Sequence, residues 1–448
     1  MPAETRLSAI IRRLRVLRQS AFFVNATKLL GFTVVGQIIT LIAAPVLSRN
    51  FGPGDFGLFG IFVMFSGMAS GLICLCYDTA IPAPHRDSDA AALAFGAGAV
   101  ALVVAPLFAA FYAGLVAFNV FGYGVMPQWS SLVLGILLVV IAAASVQQYW
   151  CIRRQQFSAA GRGAVIMNVV RAAAQIGLCV IGSGWAGLAG GETIGRLGNV
   201  AYLWTRVSRD LLSYREQMSA STILDALYRY RRFALILLPA MTLDGFVGAL
   251  FVPLVNVLFG VAIAGQYFLM RRVMDLPMVI VTRTVADAFY GKISEYVREG
   301  PERIRPFLLE VFLLGTGASL LLFVPLILFG PSIFAFVFGE KWRIAGLLSA
   351  IMVPAVAVNL GAAPVARVFY LTRLPQLRYV VSVLMTIGIV TLYLVAKYLH
   401  LDVIGTTIGI SLVTFFAQVV YFITAYVASA HLHLDEGATE NSSIAETT

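Results

Sequence analysis

Apolar stretches of about 20 residues recur along most of the chain and are separated by short polar connections. A helix of about 20 apolar residues is long enough to cross the hydrocarbon core of a bilayer. The pattern therefore predicts an all-α polytopic membrane protein with twelve transmembrane helices. The predicted spans are 29–48, 56–77, 91–112, 131–150, 163–182, 184–204, 233–258, 263–283, 307–329, 345–366, 379–396 and 405–427.

The basic residues of the connections predict the orientation of these spans. Cytoplasmic loops of membrane proteins carry an excess of Lys and Arg. If the N-terminus is cytoplasmic, nearly all basic connections fall on the cytoplasmic side, among them the arginine-rich connection 205–232. The outer connections then hold only Arg49, Lys341, Arg343 and Lys397. An odd number of spans would destroy this alternation, so we predict that both termini are cytoplasmic.

The two halves of the chain share a short repeat, since residues 45–59 align without gaps on residues 253–267. Both segments lie at the predicted outer turn between the first two spans of a six-span half. A chance match between apolar sequences is the alternative. The matched residues are Pro45 with Pro253, Phe51-Gly52 with Phe259-Gly260, Gly57 with Gly265, and Phe59 with Tyr267. Two repeats of six spans have parallel topology, which predicts two lobes around a central cavity.

This organisation divides the chain into five parts. Leu and Ile alternate with Arg at helical spacing over residues 4–20, which predicts an amphipathic helix at the cytoplasmic membrane surface. The predicted parts are an N-terminal segment 1–28, an N-lobe 29–204, a cytoplasmic linker 205–232, a C-lobe 233–427 and a disordered cytoplasmic tail 428–448. No cleaved signal peptide is expected, so the first span would direct insertion.

Composition excludes several functional classes. The chain is 60% hydrophobic and 12% charged, whereas soluble proteins are about 25% charged. The net charge of +10 comes from clusters in short loops, which excludes nucleic acid as a partner. The four cysteines have no metal-binding spacing, and no nucleotide-binding or hydrolase motif is present. We therefore expect no metal, no cofactor and no enzymatic activity.

Two arginines interrupt the predicted span 263–283. A charged side chain at the centre of a span costs roughly 2.5–3.5 kcal/mol and usually faces a wet cavity or the interior of a bundle. Arg271 and Asp275 are four residues apart on one helical face, so a local ion pair is one interpretation. Arg272 has no such neighbour in sequence. Because a guanidinium binds phosphate oxygens in a forked geometry, Arg271 and Arg272 are candidate ligands of an anionic substrate.

Other charges occupy comparable depths in the predicted spans. Glu192 and Arg196 are four apart, so they form a candidate self-neutralising pair, and Asp244 has no local partner. Asp244 would either pair with an arginine of the cavity or titrate, so we predict ion coupling through Asp244, with Asp275 and Glu192 as further candidates. Additional candidate ligands of an anion are Arg171 within its span, and Lys28 and Arg49 at the two ends of the first span.

Short motifs follow one another along both halves of the chain. The first-half motifs are Arg49-Asn50-Phe51-Gly52-Pro53-Gly54-Asp55-Phe56-Gly57 and Asp78-Thr79-Ala80-Ile81-Pro82. The second-half motifs are Phe259-Gly260, Ala264-Gly265-Gln266-Tyr267, Arg272-Val273, Leu276-Pro277 and Trp342-Arg343-Ile344-Ala345-Gly346. These motifs resemble those of Wzx-type flippases of O-antigen and exopolysaccharide, which belong to a superfamily that also holds multidrug extruders. The similarity extends over residues 22–427. Asp78 departs from the residue types expected at its position, so its role stays open.

The resemblance implies a flippase of the bacterial inner membrane. Its substrate would be an oligosaccharide on undecaprenyl pyrophosphate, moved to the outer leaflet by alternating access, with Arg271 and Arg272 binding the pyrophosphate. Its partners would be membrane lipid and the polymerase and chain-length regulator of the same pathway. Two alternatives are a cation-coupled multidrug extruder, which would need carboxylates in its N-lobe cavity, and a membrane polysaccharide polymerase.

Overall fold

A computed structural model of the chain describes residues 21–299, 303–365, 368 and 377–429, and within them all regular secondary structure is helical. The α-helices are α1 (Ala21–Asn50), α2 (Pro53–Ser70), α3 (Tyr77–Ala80), α4 (Asp87–Ala117), α5 (Ser130–Arg153), α6 (Phe157–Val180), α7 (Gly184–Leu212), α8 (Ala220–Arg229), α9 (Arg231–Phe259), α10 (Val261–Glu299), α11 (Ile304–Phe338), α12 (Arg343–Ala362), α13 (Leu377–Tyr398) and α14 (Val403–Ala428). Short 3-10 helices cover Val120–Val125, Arg215–Gln217 and Glu340–Trp342. The predicted all-α fold is confirmed.

Each of the predicted spans overlaps one of these long helices. Nine helical segments of the described residues are long and apolar enough to cross a membrane. They lie in α1, α4, α5, α6, α9, α11, α12, α13 and α14. The other three predicted spans correspond to α2, which has 18 residues, and to α7 and α10, which carry several charged residues. The count of twelve and the orientation stay predictions.

The second predicted span, 56–77, is not one continuous helix, which corrects the sequence-based boundary. α2 ends at Ser70, and a turn separates it from the four-residue α3. Leu75 (φ 48°) and Cys76 (φ 63°) in this turn have left-handed backbone conformations. A right-handed helix of L-residues cannot continue through such positions. The break was not predicted because hydrophobicity carries no information about φ.

The described contacts divide the chain into two compact units, one extending to Phe268 and the other beginning at Leu269. In the first unit, α6 packs against α1 and α7, α4 packs against α5, and α9 packs against α2. In the second unit, α12 packs against α11 and α14. α9 therefore belongs to the first unit by its contacts. The division into six-helix lobes at 29–204 and 233–427 is a statement about topology and stays a prediction.

Connection 205–232, predicted as a cytoplasmic linker, is largely helical. It holds the last turns of α7, a 3-10 turn and the whole of α8. The hydroxyl of Ser219 accepts a hydrogen bond from the backbone N–H of Thr222 at 3.1 Å and so caps α8. α8 packs against α4, where Leu227 lies over Gly96. Residues 1–20 and 430–448, predicted as a surface helix and a disordered tail, lie outside the described residues.

Candidate functional site

Three charged side chains predicted inside spans meet between α6 and α7. Arg171 Nη1 lies 3.3 Å from Glu192 Oε2, and Arg196 Nε lies 2.8 Å from Glu192 Oε1. The predicted contact of Glu192 with Arg196 is therefore present, but Glu192 also binds Arg171. One carboxylate between two guanidiniums leaves this cluster with a net charge of one positive unit. We call Arg171, Glu192 and Arg196 the arginine cluster.

Glycines on α7 allow the close helix approach that forms the arginine cluster. A Cβ atom on Gly195 would lie 2.5 Å from Cβ of Arg171, and one on Gly191 would overlap the side chain of Gln175. Only glycine fits at such a crossing without displacing the neighbouring helix. The spacing of Gly191 and Gly195, four residues apart, places both on one face of α7. The short distance between the helices brings Glu192 within reach of Arg171.

Two polar residues fix the position of Arg171, and sequence analysis did not identify them. Arg171 Nη2 donates to Thr40 Oγ1 of α1 at 2.8 Å and also to Asn168 Oδ1 on its own helix. Asn168 Oδ1 accepts a further hydrogen bond from Thr40 Oγ1 at 3.2 Å. Asn168 precedes Arg171 by three residues, so its spacing was a signal that could have been used. Thr40 gave no signal because it comes from a helix distant in sequence.

The two arginines of the cluster differ in what remains available for a ligand. The side chain of Arg171 is 16% exposed, whereas that of Arg196 is 28% exposed. Within residues 21–299, 303–365, 368 and 377–429, the Nη1 and Nη2 groups of Arg196 donate to no protein acceptor. A guanidinium can donate five hydrogen bonds in a fork that matches carboxylate or phosphate. Arg196 is therefore the member of the cluster with an accessible edge for an anion.

Arg271 and Asp275 form the local contact that their spacing predicted. Arg271 Nε lies 3.6 Å from Asp275 Oδ2, and the two side chains are 29% and 55% exposed. This separation corresponds to an ion pair rather than to a direct hydrogen bond. Arg272 is half-buried in the next position of α10. Both interpretations of this segment, a local ion pair and an anion site, are compatible with these positions.

The remaining candidate residues are not part of the arginine cluster. Asp244 is exposed on α9, and Arg49 is exposed in the last turn of α1, where a cation interacts favourably with the helix dipole. The side chain of Lys28 lies outside the described part of the structure. Among the described residues, no three His, Cys, Asp or Glu side chains form a group that could hold a metal ion.

A second charged network joins the predicted cytoplasmic ends of α4, α5 and α7. Asp87 binds Arg153 at 2.6 Å and Arg154 at 2.8 Å. Arg154 Nε also donates to Asp210 Oδ2 at 2.6 Å, and Trp150 Nε1 donates to the same oxygen at 3.0 Å. The hydrogen bonds that Arg154 donates to Asp210 raise the pKa of Arg154 above its usual value. Two arginines and two aspartates balance, so this network holds the helix ends together and leaves no excess charge.

Comparisons with known proteins give a family from the sequence and a fold from solved structures. The sequence profile of a family described as polysaccharide biosynthesis protein matches residues 46–346. No curated protein matches the chain in sequence. A solved structure described as the inward-facing conformation of a multidrug resistance MATE family transporter of the MOP superfamily has a TM-score of 0.58. It is 13% identical, and the match covers 88% of this chain and 95% of that one.

A second solved structure is that of a MOP superfamily transporter from Pyrococcus furiosus Vc1. Its description states that the reverse polarity of its binding pocket suggests a different function for that protein. Its TM-score is 0.56 at 15% identity, with 91% of this chain and 96% of that chain covered. At such identities the similarity shows the fold alone. The matched profile covers the arginine cluster and the segment with Arg271 and Arg272. The chain thus belongs to the polysaccharide biosynthesis protein family and has the fold of MOP superfamily transporters, which confirms the predicted family.

Proposed function

We propose that this chain is a flippase that moves an oligosaccharide linked to undecaprenyl pyrophosphate from the cytoplasmic to the outer leaflet of a bacterial inner membrane. The family and the fold support a multi-pass membrane transporter. The observation that carries the finer proposal is the arginine cluster, whose net positive charge lies where α6 packs against α7. A substrate with a pyrophosphate or acidic sugars provides the anion that such a charge requires.

The arginine cluster would bind an anion through Arg196, while Arg171 holds Glu192 in place. Arg171 is held by Thr40 and Asn168, so it stays in place and keeps Glu192 neutralised. Arg196 has an accessible edge and would donate its Nη groups to oxygens of the substrate. A hydrogen bond between charged groups contributes about 1.5–3 kcal/mol. Binding of this strength is sufficient to recognise the anion and weak enough to release it on the other side.

Arg271 and Arg272 would form a second contact for the anionic part of the substrate, as proposed from the sequence. Their place in α10 is covered by the family profile. Asp275 competes for Arg271, since the two side chains already form an ion pair. Asp275 would therefore set how readily Arg271 releases its substrate.

A cation-coupled multidrug extruder is the alternative, because solved structures with this fold include multidrug transporters. Such a transporter would need a carboxylate available to a cation. Glu192 is buried and bound by two arginines, which disfavours that role. A buried carboxylate that already binds two guanidiniums has little residual attraction for a cationic drug.

Two experiments test the proposal. Deletion of the gene should lead to accumulation of completed oligosaccharide repeat units on undecaprenyl pyrophosphate at the cytoplasmic face. If unpolymerised units accumulate at the outer face instead, the chain is a polymerase. Purified protein in vesicles should translocate the lipid-linked oligosaccharide and should not accumulate cationic dyes. Dye transport without movement of the lipid-linked sugar would establish the extruder instead.

A further inference from the structure

Asp78 is a buried carboxyl group that the proposed substrate contacts do not use. It lies in α3 and is 9% exposed. The hydroxyl of Ser145, on α5, donates a hydrogen bond to its Oδ2 atom. No Lys, Arg or His of the described residues forms an ion pair with it. Burying an ionised carboxylate without a cation costs several kcal/mol.

Most charged groups on the helices packed against α3 bind other residues, and Arg232 on α9 is exposed. On α5, Arg153 binds Asp87 of α4 and the backbone carbonyls of Ile81 and Pro84. On α4, Asp89 binds Arg229 at 3.3 Å. On α9, Arg231 stacks on Tyr228 at 3.8 Å and interacts electrostatically with Tyr77.

The titratable neighbours of Asp78 provide no positive charge either. They are the thiols of Cys74 and Cys76 and the phenol of Tyr149. Thiol and phenol groups are neutral at pH 7 and become negative when they titrate. Burial therefore raises the pKa of Asp78, and the hydrogen bond from Ser145 only partly offsets this effect. The neutral acid is the form that this environment stabilises.

The turn before Asp78 is strained and contacts α9. Leu75 and Cys76 both have positive φ without being glycine, a conformation that costs of order 1–3 kcal/mol. The sulfur of Cys76 lies 3.5 Å from the sulfur of Met241 on α9. Asp244, the exposed carboxylate of α9, follows Met241 by three residues and so lies within one helical turn of this contact. Movement of α9 against the turn would admit water to Asp78.

We propose that Asp78 is a proton-binding site, protonated while buried and deprotonated when movement at the Cys76–Met241 contact exposes it to water. The proton passes to a water molecule and leaves the carboxylate. Protons are then the coupling ion of the transporter. The coupling rests on the proposed function, whereas proton binding by Asp78 does not.

The protonation state can be measured without a substrate. Infrared spectra of the purified wild-type protein and of Asp78→Asn at neutral pH should differ by the C=O stretch of one protonated carboxylic acid. This band should disappear from the wild-type protein at alkaline pH. Asp55→Asn is the matched control, because Asp55 accepts hydrogen bonds from the N–H groups of Gly52 and Trp185 and lies outside the proposed site, so its replacement should leave the protonated band in place. A carboxylate band for Asp78 at neutral pH would overturn the proposal.

A second variant reports the same group if Asp78→Asn does not fold. Ser145→Ala removes the hydrogen bond that favours the ionised form, so the protonated band should shift in frequency and persist to a higher pH. An unchanged band and an unchanged titration in Ser145→Ala would contradict the assignment to Asp78.

Coupling is tested in vesicles with undecaprenyl pyrophosphate as the probe. An imposed pH gradient should accelerate translocation by the wild-type protein and by Asp225→Asn, which changes an exposed carboxylate of α8, whereas Asp78→Asn should translocate at one rate with and without the gradient. A normal response of Asp78→Asn, or loss of the response in Asp244→Asn alone, would overturn the role of Asp78. If the wild-type protein moves no probe, the proposed function fails, and the infrared measurement still decides the proton site.

Discussion

Gly57 and Gly265 occupy equivalent positions of the internal repeat and lie at one crossing of α2 and α10. A Cβ atom on Gly57 would overlap the carbonyl oxygen of Val261, and one on Gly265 would overlap the carbonyl oxygen of Pro53. Pro53 and Val261 are themselves equivalent in the repeat. Each glycine thus packs against the same backbone position of the other copy. This reciprocal contact supports an internal repeat rather than a chance match.

Substitution at the glycine crossing should destabilise the protein. Gly265→Ala introduces a methyl group where the backbone of Pro53 already lies, so α2 and α10 must separate. Overpacking of this kind typically costs about 1–3 kcal/mol. Thermal unfolding in detergent should show a lower midpoint for Gly265→Ala and for Gly57→Ala. Gly67→Ala in α2 is the control, because a Cβ there meets no atom within 4 Å; an equal effect of all three variants would refute the role of the crossing.

Arg196→Gln should impair transport while protein abundance stays normal. The variant keeps a polar side chain but loses the charge that the proposed anion needs, and Glu192 remains paired with Arg171. Loss of one charged contact of about 1.5–3 kcal/mol corresponds to a decrease in substrate affinity of about 10- to 150-fold. Polymer export and protein level are measured together. Arg209→Gln, an exposed arginine on the same helix, should export normally; equal export by both variants would remove Arg196 from the site.

Arg271→Gln and Arg272→Gln should each reduce export, because each variant removes one positive charge from the proposed second contact with the anion; Asp275 already forms an ion pair with Arg271. If that ion pair is the main role of Arg271, Asp275→Ala should partly restore the Arg271→Ala variant, since an unpaired charge is removed. Export by the single and double variants gives the coupling between the two residues. Wild-type export by both glutamine variants would eliminate this segment as an anion site.

The stability of the protein should fall as the pH rises through the pKa of Asp78. Burial raises the pKa of this carboxyl in the folded state, so folding favours the protonated form and its stabilisation is lost at higher pH. Asp78→Asn imitates the protonated form and should lose less stability. Between the pKa of Asp78 in the unfolded chain and its higher pKa in the folded protein, the difference should grow by about 1.4 kcal/mol per pH unit, and above the folded-state pKa it should level off. Parallel pH profiles of the two unfolding midpoints would show that Asp78 is not protonated when buried.

Reporter fusions should place both termini and the 205–232 connection in the cytoplasm. The prediction follows from the loop arginines, which favour the cytoplasmic side. A fusion after Ser219, at the start of α8, should be active with a cytoplasmic reporter and silent with a periplasmic one. Fusions in the outer connections at 119–129 and 399–402 should show the reverse. Opposite sides for the two termini would disprove the twelve-span topology.

Local patterns in the sequence were sufficient for the helices and for the contacts within a single helix. Apolar runs predicted spans at 29–48 and 91–112, and these spans lie inside α1 and α4. The spacing of four residues predicted the pairs of Glu192 with Arg196 and of Arg271 with Asp275. These features depend on residues that are neighbours along the chain. Hydrophobicity and helical periodicity report such neighbours directly.

Only the tertiary structure decided which distant residues meet. Glu192 was interpreted as the partner of Arg196, and its second bond to Arg171 depends on the close packing of α6 against α7. Thr40 comes from α1, and no pattern in the sequence connects it with Arg171. The sequence assigned no role to Asp78, and only the structure shows that it follows the turn at Cys76 and accepts a hydrogen bond from Ser145. Sequence patterns record the period of a helix, whereas the partner of a buried charge is set by helix packing and by backbone dihedrals.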